Sequence, residues 1–186
     1  MTQVHRIGGR RIDLTIRPGV PRVLSGATVA RVAAAALEAG GAPAPSSLAV
    51  VLTDDGELAE LNVAHLGHSG PTDVLSFPLL PPRAFPAHER RSAVAGSGLA
   101  GGAEFMLPPG ARVHLGDIAV SVERAVAQAG SGRGGQTGDI WWSPANELRL
   151  LVTHGALHVC GWDHAEPVEE AAMRALERRL LGRAWG

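Results

Sequence analysis

Lysine is absent from the 186-residue chain: all seventeen basic residues are Arg, set against eighteen acidic ones for a formal charge of −1. That balance excludes a polybasic tail while leaving a local patch open. Two readings of the missing Lys stand side by side. Arg forms bidentate pairs with phosphate and carboxylate that Lys does not match; equally, 24 Gly, 13 Pro and abundant Ala point to GC-rich codons. Several Arg residues fall where any long polar side chain would serve a solvated helix face, so composition alone assigns no function. Cysteine is nearly missing too. The single Cys160 excludes an intramolecular disulfide and any CxxC metal or redox motif. No stretch approaches the roughly 18 consecutive apolar residues that span a bilayer, and Met1 to Val20 lacks the apolar run of a secretory signal. A soluble, cytoplasmic protein with no membrane partner is expected, of a length that suits one globular domain with a sizeable core.

Periodicity divides the chain into short elements. Arg11 to Ile16 alternates polar and apolar residues and reads as a half-buried strand. Ser25 to Glu38 places Val29, Val32, Ala33 and Leu37 at helical spacing and ends at Gly40 and Gly41. Leu48 to Leu52 is a continuous apolar run, as in an inner strand. Thr53 or Asp54 caps a helix reaching about Ala64, with Leu58 and Leu61 facing the core. Thr72 to Phe77 lies between Pro71 and Pro78, which confines it to a short strand at a sheet edge. A strand at His114 to Ser121 leads into a helix from Val122 to about Ala129. Ser143 with Pro144 opens a helix running to Val159, and a last helix spans about Pro167 to Leu181, closed by Gly182.

Between Leu80 and Arg112 the chain is rich in Pro, Gly, Ala and Ser without a clean period. A loop of that length is expected to be a mobile flap, pinned only by Phe85 and Phe105. Gly130 to Gly138 reads as a linker. GxGxxG occurs twice, at Gly96, Gly98, Gly101 and at Gly130, Gly132, Gly135. Neither match follows a strand and opens a helix, so no dinucleotide site is read from them.

Chemistry concentrates in His154-Gly-Ala-Leu-His158-Val-Cys-Gly161-Trp-Asp-His164. A four-residue helical step leaves only about 40° between His154 and His158, so both imidazoles leave one face a turn apart. Gly161 supplies a left-handed residue that ends the helix and lets His164 complete a triangle. Three neutral imidazoles around Zn²⁺ with a fourth position open to water form a catalytic arrangement, since structural zinc sites are closed by four protein ligands. Cys160 lies about 200° around the helix from His158 and is expected to pack as a small apolar residue. The spacing matches the metzincin pattern HExxHxxGxxH, except that Gly155 stands where those peptidases carry their general-base Glu. Peptide hydrolysis by that route is therefore unsupported, although the metal can still polarise an oxygen or acidify a water.

The stretch from His154 to His164 resembles the signature of the YbeY family of bacterial rRNA maturation factors, described as zinc-dependent, single-strand-specific endoribonucleases. Two further blocks agree: Leu52-Thr53-Asp54-Asp55 leading through Glu60-Leu61-Asn62 to Pro71-Thr72-Asp73-Val74-Leu75-Ser76-Phe77-Pro78, and Leu115-Gly116-Asp117-Ile118. The likeness runs from about Leu48 to Leu181. It implies an α+β domain, a small mixed β-sheet with packed helices, whose zinc site lies on a C-terminal helix followed by a turn. The implied ligands of one zinc ion are His154, His158 and His164. Asp73, Ser76 and Asp117 fall in matching blocks, with contacts to ligands or substrate as one reading and strand-end hydrogen bonds as the other. The family carries an Arg seven residues before Asp73, and Leu66 occupies that place here. His65 and His68 flank it, and Arg149 is aimed elsewhere by its helical phase. Asp163 reads as a turn residue.

A single domain over residues 1–186 is expected, with residues 80–112 as a flexible insertion longer than the family has between the same two blocks, a mobile flap that is expected to bring Arg83, Arg90 and Arg91 toward an RNA backbone. Trp141 and Trp142 either stack on bases or pack in the core. The implied activity is zinc-dependent endoribonuclease action in 16S rRNA 3′ end maturation and ribosome biogenesis. Single-stranded RNA and the small ribosomal subunit are the expected partners, and DNA is not. Two alternatives remain: a non-catalytic zinc-containing assembly factor, or another zinc hydrolase.

Overall fold

A computed structural model describes residues 1–67, 70, 72–86, 111–130 and 142–183. Five strands, β1 (Thr2–Ile7), β2 (Arg10–Ile16), β3 (Ser46–Thr53), β4 (Val74–Pro78) and β5 (Val113–Ser121), form one sheet in the order β1-β2-β3-β5-β4. The two outer pairings are antiparallel and the two inner ones parallel, so the sheet is mixed. The helices are α1 (Gly26–Ala39), α2 (Asp55–Leu66), α3 (Val122–Gly130), α4 (Pro144–Val159) and α5 (Pro167–Arg183). This is the α+β architecture that the sequence blocks imply.

Local chemistry explains most boundaries. Ser25, Asp54 and Ser143 each cap a helix, their side-chain oxygens accepting from the backbone N–H of Thr28, Glu57 and Asn146. Ser121 ends β5 and accepts from the N–H of Arg124, so the chain passes from strand to helix without a loop. The Pro-flanked segment is an edge strand, as expected of residues that cannot all donate to a ladder. Two differences from the sequence reading have plain causes. Strand β1 went unread because its inner residues include Gln3, His5 and Ile7 rather than an apolar row; Gly8 and Gly9, both at positive φ, make its hairpin turn. Helix α5 runs one residue past Gly182, an end effect of ordinary size.

Helices α1 and α4 cover one face of the sheet. Ile12, Leu14, Leu48, Val50 and Ile118 from the strands meet Val29, Ala33 and Leu37 of α1 and Leu148, Val152, Ala156 and Val159 of α4. Helix α2 lies on the other face, where Leu58 packs with Leu75 and Ala119. Cys160 is fully buried among the first group, and burial pushes its thiol up to about 12, so it behaves as an apolar residue. Phe85 is fully buried as well. It anchors the start of the Leu80 to Arg112 segment after a turn of 3-10 helix at Pro82–Ala84. At its far end the Arg112 guanidinium donates to the carbonyls of Gly9 and Ser46. Phe105, Arg90, Arg91, the rest of that insertion, Trp141, His68 and all but the first residue of the Gly130 to Gly138 run lie outside the described residues. No helix among the described residues is long and apolar enough to cross a membrane.

The edge strand depends on a glycine. The β3–β5 register shifts at Leu48, which pairs with Gly116 where its neighbour Ser47 pairs with His114, so Leu115 is the extra residue of a bulge. Gly116 has φ +146°, and a Cβ there would lie 2.3 Å from the Phe77 carbonyl oxygen on β4. Gly116→Ala is therefore expected to lower stability by about 1–3 kcal/mol through backbone strain and steric overlap. Urea denaturation checks this; an unchanged midpoint would show that β4 can move away freely.

Candidate metal centre

Helix α4 presents His154 and His158 on one face, and its C-terminus places His164. Cys160 ends the helix and Gly161 follows at φ +82°. The N–H of Gly161 donates to the His158 carbonyl at 2.9 Å and that of Trp162 to the Leu157 carbonyl at 3.2 Å. These two bonds are the Schellman pattern, in which a left-handed residue reverses the chain while satisfying the last carbonyls. The reversal returns His164 to the other two rings: its centroid lies 5.8 Å from that of His154 and 5.2 Å from that of His158. Asp163 accepts from the backbone N–H of His164 and acts as a turn residue.

The ring nitrogens are arranged as a donor set. His154 and His158 bring their Nε2 atoms to 3.0 Å, and one nitrogen from each of the three imidazoles lies within 4.8 Å of the others. Two nitrogens each about 2.0 Å from a tetrahedral ion would stand about 3.3 Å apart, so small ring rotations suffice. The opposite nitrogens are held. His158 Nδ1 donates to the Trp162 carbonyl at 2.8 Å, and His154 Nδ1 lies 2.7 Å from Glu177 Oε1 on α5. A proton on each Nδ1 leaves each Nε2 as a lone pair directed at the shared point. Burial, reinforced by the charge of His154, pushes the His158 imidazole down to about 4, so it is neutral near pH 7 as a ligand must be. The residues present therefore fit a single divalent ion with an open coordination position. Sequence inspection missed Glu177, whose signal, an acidic residue on an amphipathic helix, is shared by many solvated faces.

Between α4 and α5 a cavity of about 300 Å³ opens beside this cluster, lined by His154, His164, Asp73, Leu150, Glu170, Arg174 and Glu177 among others. Asp73 sits at its wall, where its Oδ2 accepts from Gln128. Ser76 does not reach the cavity lining: its hydroxyl donates to the Gly155 carbonyl at 3.1 Å and fastens β4 to α4. Asp117 is not brought to the cluster. Ile118 meets α4, so strand alternation turns Asp117 to the opposite face of the sheet, where it lies 3.3 Å from His114 Nε2. Arg149 bonds Asn146 on another side of α4. His65 packs edge-on to Phe77, and Trp142 is buried with its Nε1 donating to Glu147. The side chain of Leu66 lies outside the described residues.

Gly155 explains why the peptidase pattern stops short here. A Cβ at this position would stand 2.9 Å from Val74 Cγ2 and 3.3 Å from both Ile118 Cγ2 and Ser76 Oγ. The side of α4 that would carry a general-base Glu is pressed against β4 and β5, facing the sheet and not the cavity.

Two outcomes follow from the held imidazoles. Glu177→Ala is expected to weaken binding of a divalent ion at the three imidazoles by about 10–100-fold, the usual effect of losing a carboxylate that orients a ligand; competition against a chromogenic chelator measures it, and an affinity within twofold of the parent would contradict it. The metal-free protein is expected to lose stability as the pH falls from about 6.5 toward about 4. The unfolded chain takes up a proton on His158 that the folded site resists, so this contribution is present above the ordinary imidazole value and lost below it. Denaturation midpoints at pH 7 and pH 4.5, for the parent and for His158→Leu, check this; the same midpoint difference in both would remove His158 as the cause.

The family model described as Endoribonuclease YbeY matches residues 23–184. Among curated relatives, an Endoribonuclease YbeY from Roseiflexus castenholzii is 34% identical over 172 residues, covering 92% of this chain and 91% of the relative. One from Salinispora tropica is 41% identical over 155 residues, covering 82% of this chain and 83% of its own. The solution structure of TM1509 from Thermotoga maritima shares the fold, with a TM-score of 0.53 at 21% identity, over 95% of this chain and 89% of that one. The three histidines thus stand in a chain whose match spans almost its whole length, and that chain belongs to the YbeY family of endoribonucleases.

Proposed function

We propose that the protein is a zinc-dependent endoribonuclease that cuts single-stranded RNA during rRNA processing, at the 3′ end of 16S rRNA, with the small ribosomal subunit as its partner and the cytoplasm as its location. The observation that carries the reading is the convergence of three imidazole nitrogens within 4.8 Å beside an open cavity, in an endoribonuclease family. His154, His158 and His164 are the residues that would hold zinc. All-nitrogen donors of this kind suit Zn²⁺ and leave a fourth position for water or substrate. When bound, zinc supplies Lewis-acid polarisation of a phosphoryl oxygen and acidification of water near neutral pH.

The remaining work falls to the chain itself. Glu177 and the Trp162 carbonyl fix the tautomers of His154 and His158, so the donor set is ready before a metal arrives. Asp73, on the cavity wall, is the carboxylate placed to orient a water or accept a proton at the phosphodiester, while its bond to Gln128 holds it in place. Ser76 and Asp117 are assigned to scaffolding by their bonds to Gly155 and His114. Glu170, Met173, Arg174 and Glu177 of α5 line one side of the cavity.

Purified protein loaded with zinc is expected to cleave a single-stranded RNA, and His158→Ala to lose at least about 100-fold in rate, the scale on which a polarising centre contributes. Equal cleavage by both proteins would point to a contaminating nuclease and overturn the reading. A folded, zinc-loaded variant that no longer cleaves RNA, such as Asp73→Asn, yet still restores ribosome maturation would favour the non-catalytic assembly factor.

A further inference from the structure

The cavity beside the histidines has an unusual charge pattern for a site that takes a polyanion. Three carboxylates, Asp73, Glu170 and Glu177, contribute to its lining, and among the described lining residues Arg174 is the one guanidinium. Residues 170, 174 and 177 stand at i, i+4 and i+7 on α5, within about 60° of one another around the axis. Met173, about 40° beyond Glu177 on the side away from Arg174, is 2% exposed and pins the adjoining face against the body of the protein. Arg174 therefore stands one helical turn, about 4.5 Å of rise, from Glu177, whose carboxylate touches His154.

We propose that Arg174 is the phosphate-binding residue of this site, gripping a backbone phosphate of single-stranded RNA next to the scissile one. The inference rests on the nuclease reading above and names the residue that would meet the substrate's charge. Without RNA, Arg174 Nη2 pairs with Glu170 Oε1 at 2.5 Å. The two side chains are 50% and 39% exposed, and such an i, i+4 pair on a solvated helix is weak, so a phosphate can replace it. Guanidinium matches phosphate through two parallel N–H donors, an arrangement that ammonium cannot reproduce. Glu170 thereby keeps Arg174 in place at the cavity while no substrate is bound and competes with the substrate for it.

A second cleft, of about 790 Å³ between α1, α4 and α5, carries Arg31, Arg149 and Arg179 but none of the three histidines. It supplies the control. Binding of a non-cleavable 2′-O-methyl RNA oligonucleotide to zinc-loaded protein is measured by fluorescence anisotropy across a range of salt concentrations, with zinc affinity measured separately. Arg174→Ala is expected to weaken binding about tenfold and to reduce the salt slope by about 0.7, the value for one phosphate contact on a single strand, with zinc affinity unchanged. Arg174→Lys should recover part of the affinity, and Glu170→Gln should tighten binding above the parent. Arg179→Ala should bind like the parent. An Arg174→Ala affinity within twofold of the parent with the same slope would overturn the proposal, as would an equal loss in Arg179→Ala, which would assign the effect to general charge. The two readings fail separately: loss of cleavage in His158→Ala together with unaltered binding in Arg174→Ala removes Arg174 and leaves the nuclease.

Discussion

The centre depends on how closely α4 lies against the β4–β5 edge of the sheet. At Gly155 that approach leaves no room for a side chain, because Val74, Ile118 and Ser76 already occupy the space a Cβ would need. Ser76 then donates to the Gly155 carbonyl and fixes the helix along its length. With Gly155 turned into the sheet, helical geometry sets the rest: His154 and His158 both lie about 60–100° to one side of it around the axis, and His154 lines the cavity. The bulge at Leu115 and the positive φ of Gly116 serve the same contact, since they let β4 sit against β5 at the height where α4 crosses. Gly116 thus sets how closely β4 lies beside β5, and Gly155 how closely the helix carrying the imidazoles lies on that edge.

Helix α5 does more than cover the cluster. It contributes the carboxylate that orients His154, the cavity wall at Met173, and the Arg174–Glu170 pair. Its outer surface is polar and charged, so little of its own hydrophobicity holds it in place; Met173 and Leu181, 2% and 4% exposed, are its main apolar anchors. The cavity beside the histidines therefore lies between a firmly packed helix, α4, and a more lightly held one, α5. A metal held by His154 would be coupled to α5, because the Glu177 bond links the two helices across the site. Elements near functional sites are commonly drawn from the less stable part of a fold, and α5 fits that pattern.

The histidine cluster was legible in the sequence because its geometry is local. A four-residue step and a left-handed glycine within eleven residues bring three rings together whatever the rest of the chain does. The caps at Ser143 and at Thr53 or Asp54, of which Asp54 is the one that caps, the inner strand β3 and the edge strand β4 were legible for the same reason: each follows from a few adjacent residues. What sequence inspection missed is set by distant contacts. Strand β1 alternates, but its inner row is polar and its identity comes from pairing with β2 across the Gly8–Gly9 turn. Asp73 and Asp117 sit in equally suggestive blocks; Asp73, just ahead of β4, lines the cavity, whereas strand alternation turns Asp117 of β5 to the far face. Glu177, Glu170 and Arg174 read as ordinary solvated positions until α5 is laid beside α4.

The balanced global charge and the local charge answer different questions. Three neutral imidazoles leave a divalent ion its full charge, and the buried position of His158 helps to keep that ring neutral. Glu177, 12% exposed and bonded to His154, offsets part of that charge through the ring and makes the ligand a better donor. The other two carboxylates of the cavity would repel a phosphate outright if they acted alone. Arg174 offsets the charge of Glu170, while Gln128 holds Asp73 in place without cancelling its charge. On the proposal above, a polyanion would be drawn in by a bound ion and by one guanidinium, and the carboxylates would turn away anions that cannot engage both. Selectivity of this kind comes from opposing charges held at fixed positions, and a net charge of −1 carries no trace of it.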